Sequence, residues 1–73
     1  MKFIVHGFNI LLHNNNKTIG KLNVSLINNN TFYINKLYIN NNFRGNNYGH
    51  QLINFHQFYF ENYKINSYKL LAL

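Results

Sequence analysis

Apolar and polar positions divide the chain into five patterned segments separated by polar turns. Phe8, Ile10 and Leu12 alternate with Asn9, Leu11 and His13, which predicts a strand with one cleaner apolar face. The stretch from His13 to Thr18, with Asn14-Asn15-Asn16 inside it, reads as a turn. Leu22, Val24 and Leu26 then alternate strictly with Lys21, Asn23 and Ser25, the two-residue period of a half-buried strand. A second triplet, Asn28-Asn29-Asn30, marks the next turn. In the run Thr31 to Ile39, Phe32 and Ile34 share one phase while Leu37 and Ile39 share the other, with the slip between Asn35 and Lys36. One inserted residue, a β-bulge, would produce that slip. So would a central strand buried on both faces, where phase carries no information. The pattern leaves both open.

From Tyr48 the period changes. Leu52, Phe55, Tyr59 and Tyr63 fall at helical spacing, with Ile53, His56 and Phe60 beside them and Gln51, Asn54, Gln57 and Asn62 on much of the other side. Asn66 and Ser67 end the helical segment, and Tyr68 to Leu73 read as a short apolar strand of the kind found inside a sheet. The expected fold is α/β with a mixed sheet: an antiparallel three-strand meander, one helix, then a strand parallel to the third through a right-handed crossover. Residues 1–73 form one minimal domain in this reading, with no internal repeat or linker.

Composition narrows the function classes. Of 73 residues, 47% are apolar and 18% aromatic, enough for a core and against disorder. There is no cysteine, hence no disulfide framework and no thiolate metal site, and no metal site is expected. No apolar run approaches the ~20 residues that span a bilayer. Met1 to His13 lacks the layout of a signal peptide, because His6, Gly7 and Asn9 interrupt it, so a cytoplasmic protein with no membrane partner is expected. The net charge of +6 arises because Glu61 is the only acid against six lysines and Arg44. Such a field attracts any polyanion, nucleic acid or phosphorylated cofactor, without choosing between them. The asparagine triplets, including Asn40-Asn41-Asn42, each fall between patterned segments. They read as turn punctuation, since asparagine tolerates left-handed backbone, in a chain whose Asn, Lys, Ile, Tyr and Phe suggest AT-biased coding.

Candidate chemistry concentrates in Arg44-Gly45-Asn46-Asn47-Tyr48-Gly49, between the third strand and the helix. A helix start presents unpaired N–H groups and about half a positive charge. Glycines admit close backbone approach, and a guanidinium offers a fixed fork of donors to phosphate. Together they describe an anion cradle. No GK[ST] follows and no GxGxxG is present, so neither a Walker loop nor a dinucleotide fingerprint is read. Taken alone, the six residues read first as a plain strand-to-helix turn with a solvated arginine.

In context, Leu37-Tyr38-Ile39, a short spacer, Arg44 to Gly49, and then His50-Gln51-Leu52-Ile53 resemble the acetyl-CoA motif of GNAT N-acetyltransferases. That motif has Arg or Gln, two residues, Gly, one residue, then Gly or Ala, after a strand and opening a helix. Arg44 and Gly49 match its ends, and Asn47 stands where the inner glycine is usual. The resemblance implies a GNAT-like core binding acetyl-CoA, with a bulge splaying the third strand from the fourth. The pantetheine arm would pair with backbone near Leu37 and Ile39. The pyrophosphate would sit on amides of Gly45, Asn46, Asn47, Tyr48, Gly49 and His50, and a strand amide near Tyr38 or Ile39 would polarise the acetyl carbonyl. The implied activity is acetyl transfer to an unidentified primary amine, on a protein or a small molecule.

The chain departs from the family where catalysis is concerned. Many members place a carboxylate on the central strands as base; Asn35 occupies the matching region. The segment in which many members carry a tyrosine for the leaving thiolate would follow Leu73. Catalytic residues are therefore unassigned. His6 and His13 bracket the first strand, His56 lies beside the apolar stripe, and His50 is placed for phosphate rather than for an amine. Phe55, Phe58, Tyr59, Phe60 and Tyr63 at helical spacing read as core before they read as base-stacking groups. Two alternatives stay open: a CoA-binding or regulatory module without turnover, and a small basic nucleic-acid-binding protein, the less favoured. An uncovered edge on the last strand also predicts a homodimer.

Overall fold

The computed structural model describes residues 1–63 and 67–70. Five strands form one sheet in sequence order: β1 (Lys2–His6), β2 (Asn9–Asn14), β3 (Lys17–Asn28), β4 (Thr31–Ile39) and β5 (Ser67–Leu70). Strands β1 to β4 pair antiparallel, and β5 runs parallel to β4. Between β4 and β5 come a 3-10 turn (Asn41–Phe43), the helix α1 (Tyr48–Tyr59) and a second 3-10 turn (Glu61–Tyr63). The expected meander is present, and β1 extends it to four strands. Its run Phe3-Ile4-Val5 carries no alternation, so periodicity passes over it; Gly7 and Phe8 join it to β2 as a two-residue turn. The predicted last strand is seen from Ser67 to Leu70; the expectations placed on Asn66 and on residues 71–73 lie outside the described residues.

The asparagine triplets serve three different devices. Asn15 and Asn16 both adopt positive φ, 51° and 66°, the pair of left-handed residues that a type I′ hairpin needs. Asn28 instead accepts from the backbone N–H of Asn30 at 3.2 Å, holding the β3–β4 turn through its side chain. Asn40 caps the 3-10 turn, accepting from Asn42 N–H at 2.9 Å. Left-handed backbone explains only the first.

The phase slip in β4 is a bulge. Val24 faces Ile34 and Asn23 faces Lys36, so Asn35 is the unpaired extra residue. Its side-chain amide donates to Ser25 Oγ at 2.6 Å. Ahead of the bulge Phe32 and Ile34 are buried; beyond it Leu37, opposite Leu22, and Ile39, opposite Gly20, come to the same face of the sheet.

That face carries the core. Ile10, Leu12, Ile19, Leu22, Val24, Phe32 and Ile34 are buried against Leu52 and Phe60 of the helical segment, with Phe3, Val5 and Phe55 packed at the margin. Each fully buried large side chain contributes about 1.5–3 kcal/mol relative to exposure. The helix stripe differs from the expected one. Leu52, His56 and Phe60 are buried at four-residue spacing, whereas Tyr59 and Tyr63 remain about half exposed. His56 is thus a core residue rather than a residue of the core's edge. Its Nε2–H donates to the Phe8 carbonyl at 2.7 Å, and its ring stands edge-on to Phe32 at 4.7 Å. Burial holds the imidazole below its ordinary 6.5, an effect the Phe8 hydrogen bond partly offsets. A hydrogen-bond donor aimed at a carbonyl is what makes a neutral histidine acceptable in this core.

Candidate functional site

Strand β5 pairs with β4 from Thr31 to Ile34, opposite Ser67 to Leu70. The bulged residue Asn35 comes next. Along the rest of β4, Asn35 to Ile39, the edge turned toward β5 has no partner among the described residues, while the opposite edge stays paired with β3 as far as Ile39. Bulges bend and twist the strand that carries them. The described pairing with β5 reaches Ile34, and β4 changes course one residue later, at Asn35.

Beyond Ile39 the chain is tied down in steps. Asn40 N–H donates to the Ile19 carbonyl at 2.6 Å and Phe43 N–H to the Asn40 carbonyl at 2.8 Å. Arg44 Nε donates to the Ile39 carbonyl at 3.0 Å, which anchors the guanidinium at the end of β4. Gly45 has φ 82°, a left-handed conformation that favours glycine, and open space surrounds it. Asn46 Nδ2 donates to the Phe43 carbonyl at 3.3 Å. Asn47 precedes the helix at φ 64° and makes no side-chain cap; its carbonyl accepts the first helical bond, from Gln51 N–H at 3.1 Å.

This arrangement leaves a row of donors. Among the described residues, none of the backbone N–H groups from Gly45 to His50 has an acceptor within the chain. The run is exposed or half-buried throughout, and no acid occupies the first turn of α1. Unpaired amides, a helix dipole and a nearby fixed guanidinium favour an anion, and a polyanionic group with several oxygens suits a row of this length. Gly49 brings the helix close to β4: a Cβ there would lie 3.3 Å from Leu37 Cδ2.

Leu37, Tyr38, Ile39, Arg44, Gly45, Asn46, Asn47, Tyr48, Gly49 and His50, singled out in the sequence, run without a break from the end of β4 through the first turn of α1. Most would act through their main chain. Tyr48 packs its side chain against the core, and Leu37 and Ile39 turn theirs to the helix face. Tyr38 points to the other face, where Lys36 Nζ lies 5.9 Å from its ring centroid. His50 is exposed at the helix start, while His56 lies in the core, away from this surface. Asn40, which shapes the loop, was visible in the sequence only as a member of a polar run, whereas Asn35 stood out at the phase slip. A shallow hollow adjoins the 3-10 turn, lined by Lys17, Thr18, Asn40, Asn42 and Phe43 among others, and includes none of residues 45–50.

A family model described as "Acetyltransferase (GNAT) family" matches residues 3–71. Among solved structures, the chain resembles the crystal structure of a GNAT family acetyltransferase from Elizabethkingia anophelis with acetyl-CoA bound, at a TM-score of 0.75 and 19% identity. The match covers 85% of this chain and 40% of that one, so the chain spans well under half the length of that protein, and the likeness is one of fold. No match was found among curated protein sequences. The family match over nearly the whole chain agrees with the bulged strand, the glycine-bearing loop and the crossover helix, and the chain belongs to the GNAT acetyltransferase family.

Proposed function

We propose that the chain binds acetyl-CoA across the end of β4 and the start of α1, and that the bound thioester acylates a primary amine. The row of N–H groups from Gly45 to His50 left unpaired among the described residues, close to the bulged end of β4, carries the reading. The residues present fit such a ligand: six main-chain donors and the Arg44 guanidinium suit a diphosphate. The edge of β4 from Asn35 to Ile39, without a partner among the described residues, would suit the two amides of a pantetheine arm as a strand-like neighbour.

The chain's own groups would orient and polarise. Arg44 is held to the Ile39 carbonyl, so its remaining donors are directed near the diphosphate at small entropic cost. A β4 amide would donate to the thioester carbonyl as charge develops on oxygen. The amine nitrogen forms the new amide bond, the carbon–sulfur bond breaks, and the thiolate takes up a proton. An alkylamine with a pKa near ~10.4 must lose its own proton first. The bulge position offers an amide, Asn35, rather than a carboxylate, and Glu61 lies beyond the far end of α1. That observation favours a second reading, a CoA-binding module that does not turn over. The outer edge of β5 would pair two copies in a homodimer, which light scattering checks.

Calorimetric titration with acetyl-CoA and CoA tests the binding step, and thiol release with mixed amines tests turnover. Saturable binding lost in Arg44→Ala supports the site. Binding unaffected by Arg44→Ala removes it. Binding without thiol release selects the second reading.

A further inference from the structure

The helix covers one face of the sheet, and the other face is covered by no described residue. Register fixes what it displays. One row across four strands is Ile4, Leu11, Lys21 and Tyr38. A neighbouring row runs from His6 and Asn9 to Asn23 and Lys36; another carries Lys2, His13 and Thr18; Ser25 and Tyr33 stand opposite each other nearer β5. Tyr33 and Tyr38 are separated by about 13 Å, four strand steps once the bulge is discounted. Lys36 leans over the Tyr38 ring. A shallow hollow lined by Met1, Lys2, Ile4, His13 and Asn14–Asn16 continues the surface at one end.

Three of the four lysines among residues 1–63 share one face, Lys17 alone lying on the helix side. Lys2, Lys21 and Lys36 all lie on the open face, which holds no acid among the described residues. Helix α1 contains neither lysine nor arginine, and Glu61, the only acid in the sequence, sits in the turn after it. A second copy of this chain would bring lysine to lysine. Flat tyrosine rings spaced among lysines and side-chain amides suit a chain of alternating anionic and aromatic groups. The rings stack on bases, the lysines neutralise phosphates, and a single strand exposes both.

We propose that this open sheet face binds single-stranded nucleic acid, with Tyr33 and Tyr38 as stacking platforms and Lys2, Lys21 and Lys36 as phosphate contacts. The surface is separate from the diphosphate cradle, whose donors belong to the helix start, and binding there does not depend on acetyl-CoA.

The test is fluorescence anisotropy on the whole chain with a labelled single strand of about twelve nucleotides. Three phosphate contacts predict that log K falls with log salt at a slope near ~−2, and that Lys36→Gln makes it shallower by about 0.7. Lys17→Gln changes the net charge equally but lies one register position off, on the helix side, and should leave the slope nearly unchanged. Tyr38→Ala should weaken binding by at least about fivefold, and Tyr38→Phe should restore it. Saturating acetyl-CoA should not displace the strand. Equal effects of Lys17→Gln and Lys36→Gln would mean diffuse charge and overturn the proposal. So would displacement by acetyl-CoA, equal affinity for duplex, or stronger competition from an acidic peptide or anionic lipid vesicles. Circular dichroism confirms that each surface variant is folded before its binding is compared.

Discussion

Deleting Asn35 separates the bulge from everything else in β4. The residue is unpaired, Val24 facing Ile34 and Asn23 facing Lys36 on either side of it. Its removal therefore leaves every other pairing and every face assignment unchanged: Ile34, Leu37 and Ile39 stay on the helix face, Lys36 and Tyr38 on the open one. The change loses one part-buried hydrogen bond, Asn35 Nδ2 to Ser25 Oγ at 2.6 Å, worth about 1 kcal/mol, and relieves one interruption of the ladder. Net stability should move by no more than about 1 kcal/mol, or roughly 4–8 °C in Tm for a domain of this size. Binding should respond far more. With β4 straightened against its parallel neighbour, the two main-chain bonds proposed for the pantetheine arm are lost. At about 1 kcal/mol each that is ~30-fold in Kd. Thermal melting and calorimetric titration with acetyl-CoA measure the two quantities on the same sample. Affinity retained within about threefold would refute the reasoning that the bulge opens the site, and a chain that no longer folds would refute the claim that register survives.

Other consequences follow from individual residues. Burial keeps His56 neutral below its ordinary 6.5, so on acidification the unfolded chain takes up a proton that the folded chain resists. Stability conferred by the neutral imidazole is therefore complete above about 6.5 and is lost as pH falls from there toward the depressed folded value, at ~1.4 kcal/mol per unit of depression. Urea melts of wild type and His56→Phe should converge as pH drops through this window, the variant being less stable by about 1 kcal/mol at neutral pH for want of the Phe8 bond; parallel pH curves would contradict the assignment. Asn16→Gly should raise stability by a few tenths of a kcal/mol and Asn16→Val should lower it by ~1–2 kcal/mol, read in the same melts, because the position is left-handed. Gly49→Ala should leave stability within about 1 kcal/mol, helical propensity offsetting the tight approach to Leu37, yet weaken acetyl-CoA binding in titration by occupying the space beside β4.

The amino-acid pattern revealed those features that depend on local periodicity. Alternation in β2 and β3 named their buried faces, and the slip at Asn35-Lys36 located the bulge to the residue, although alternation alone could not separate it from a strand buried on both sides. Strand β1 escaped because an edge strand reading Phe3-Ile4-Val5 has no polar partner positions to mark its phase. The helix stripe was misaligned because His56 counts as polar, whereas the Phe8 carbonyl, 48 positions away in sequence, makes it a core residue. A contact at that separation leaves no trace in local pattern. Around the loop, Arg44, Gly45 and Gly49 stood out by residue type. The contribution of Gly45 to His50 lies in main-chain donors, which every residue but proline has and which only the backbone path can reveal as unpaired.

The most direct measurement is an amide-resolved NMR titration of the chain with acetyl-CoA. The account predicts saturable shifts confined to the N–H signals of residues 45–50 and to residues 35–39 of β4, with the β1–β2 hairpin unmoved. Shifts absent at saturating ligand, or centred on the lysines of the open sheet face while residues 45–50 stay still, would contradict it.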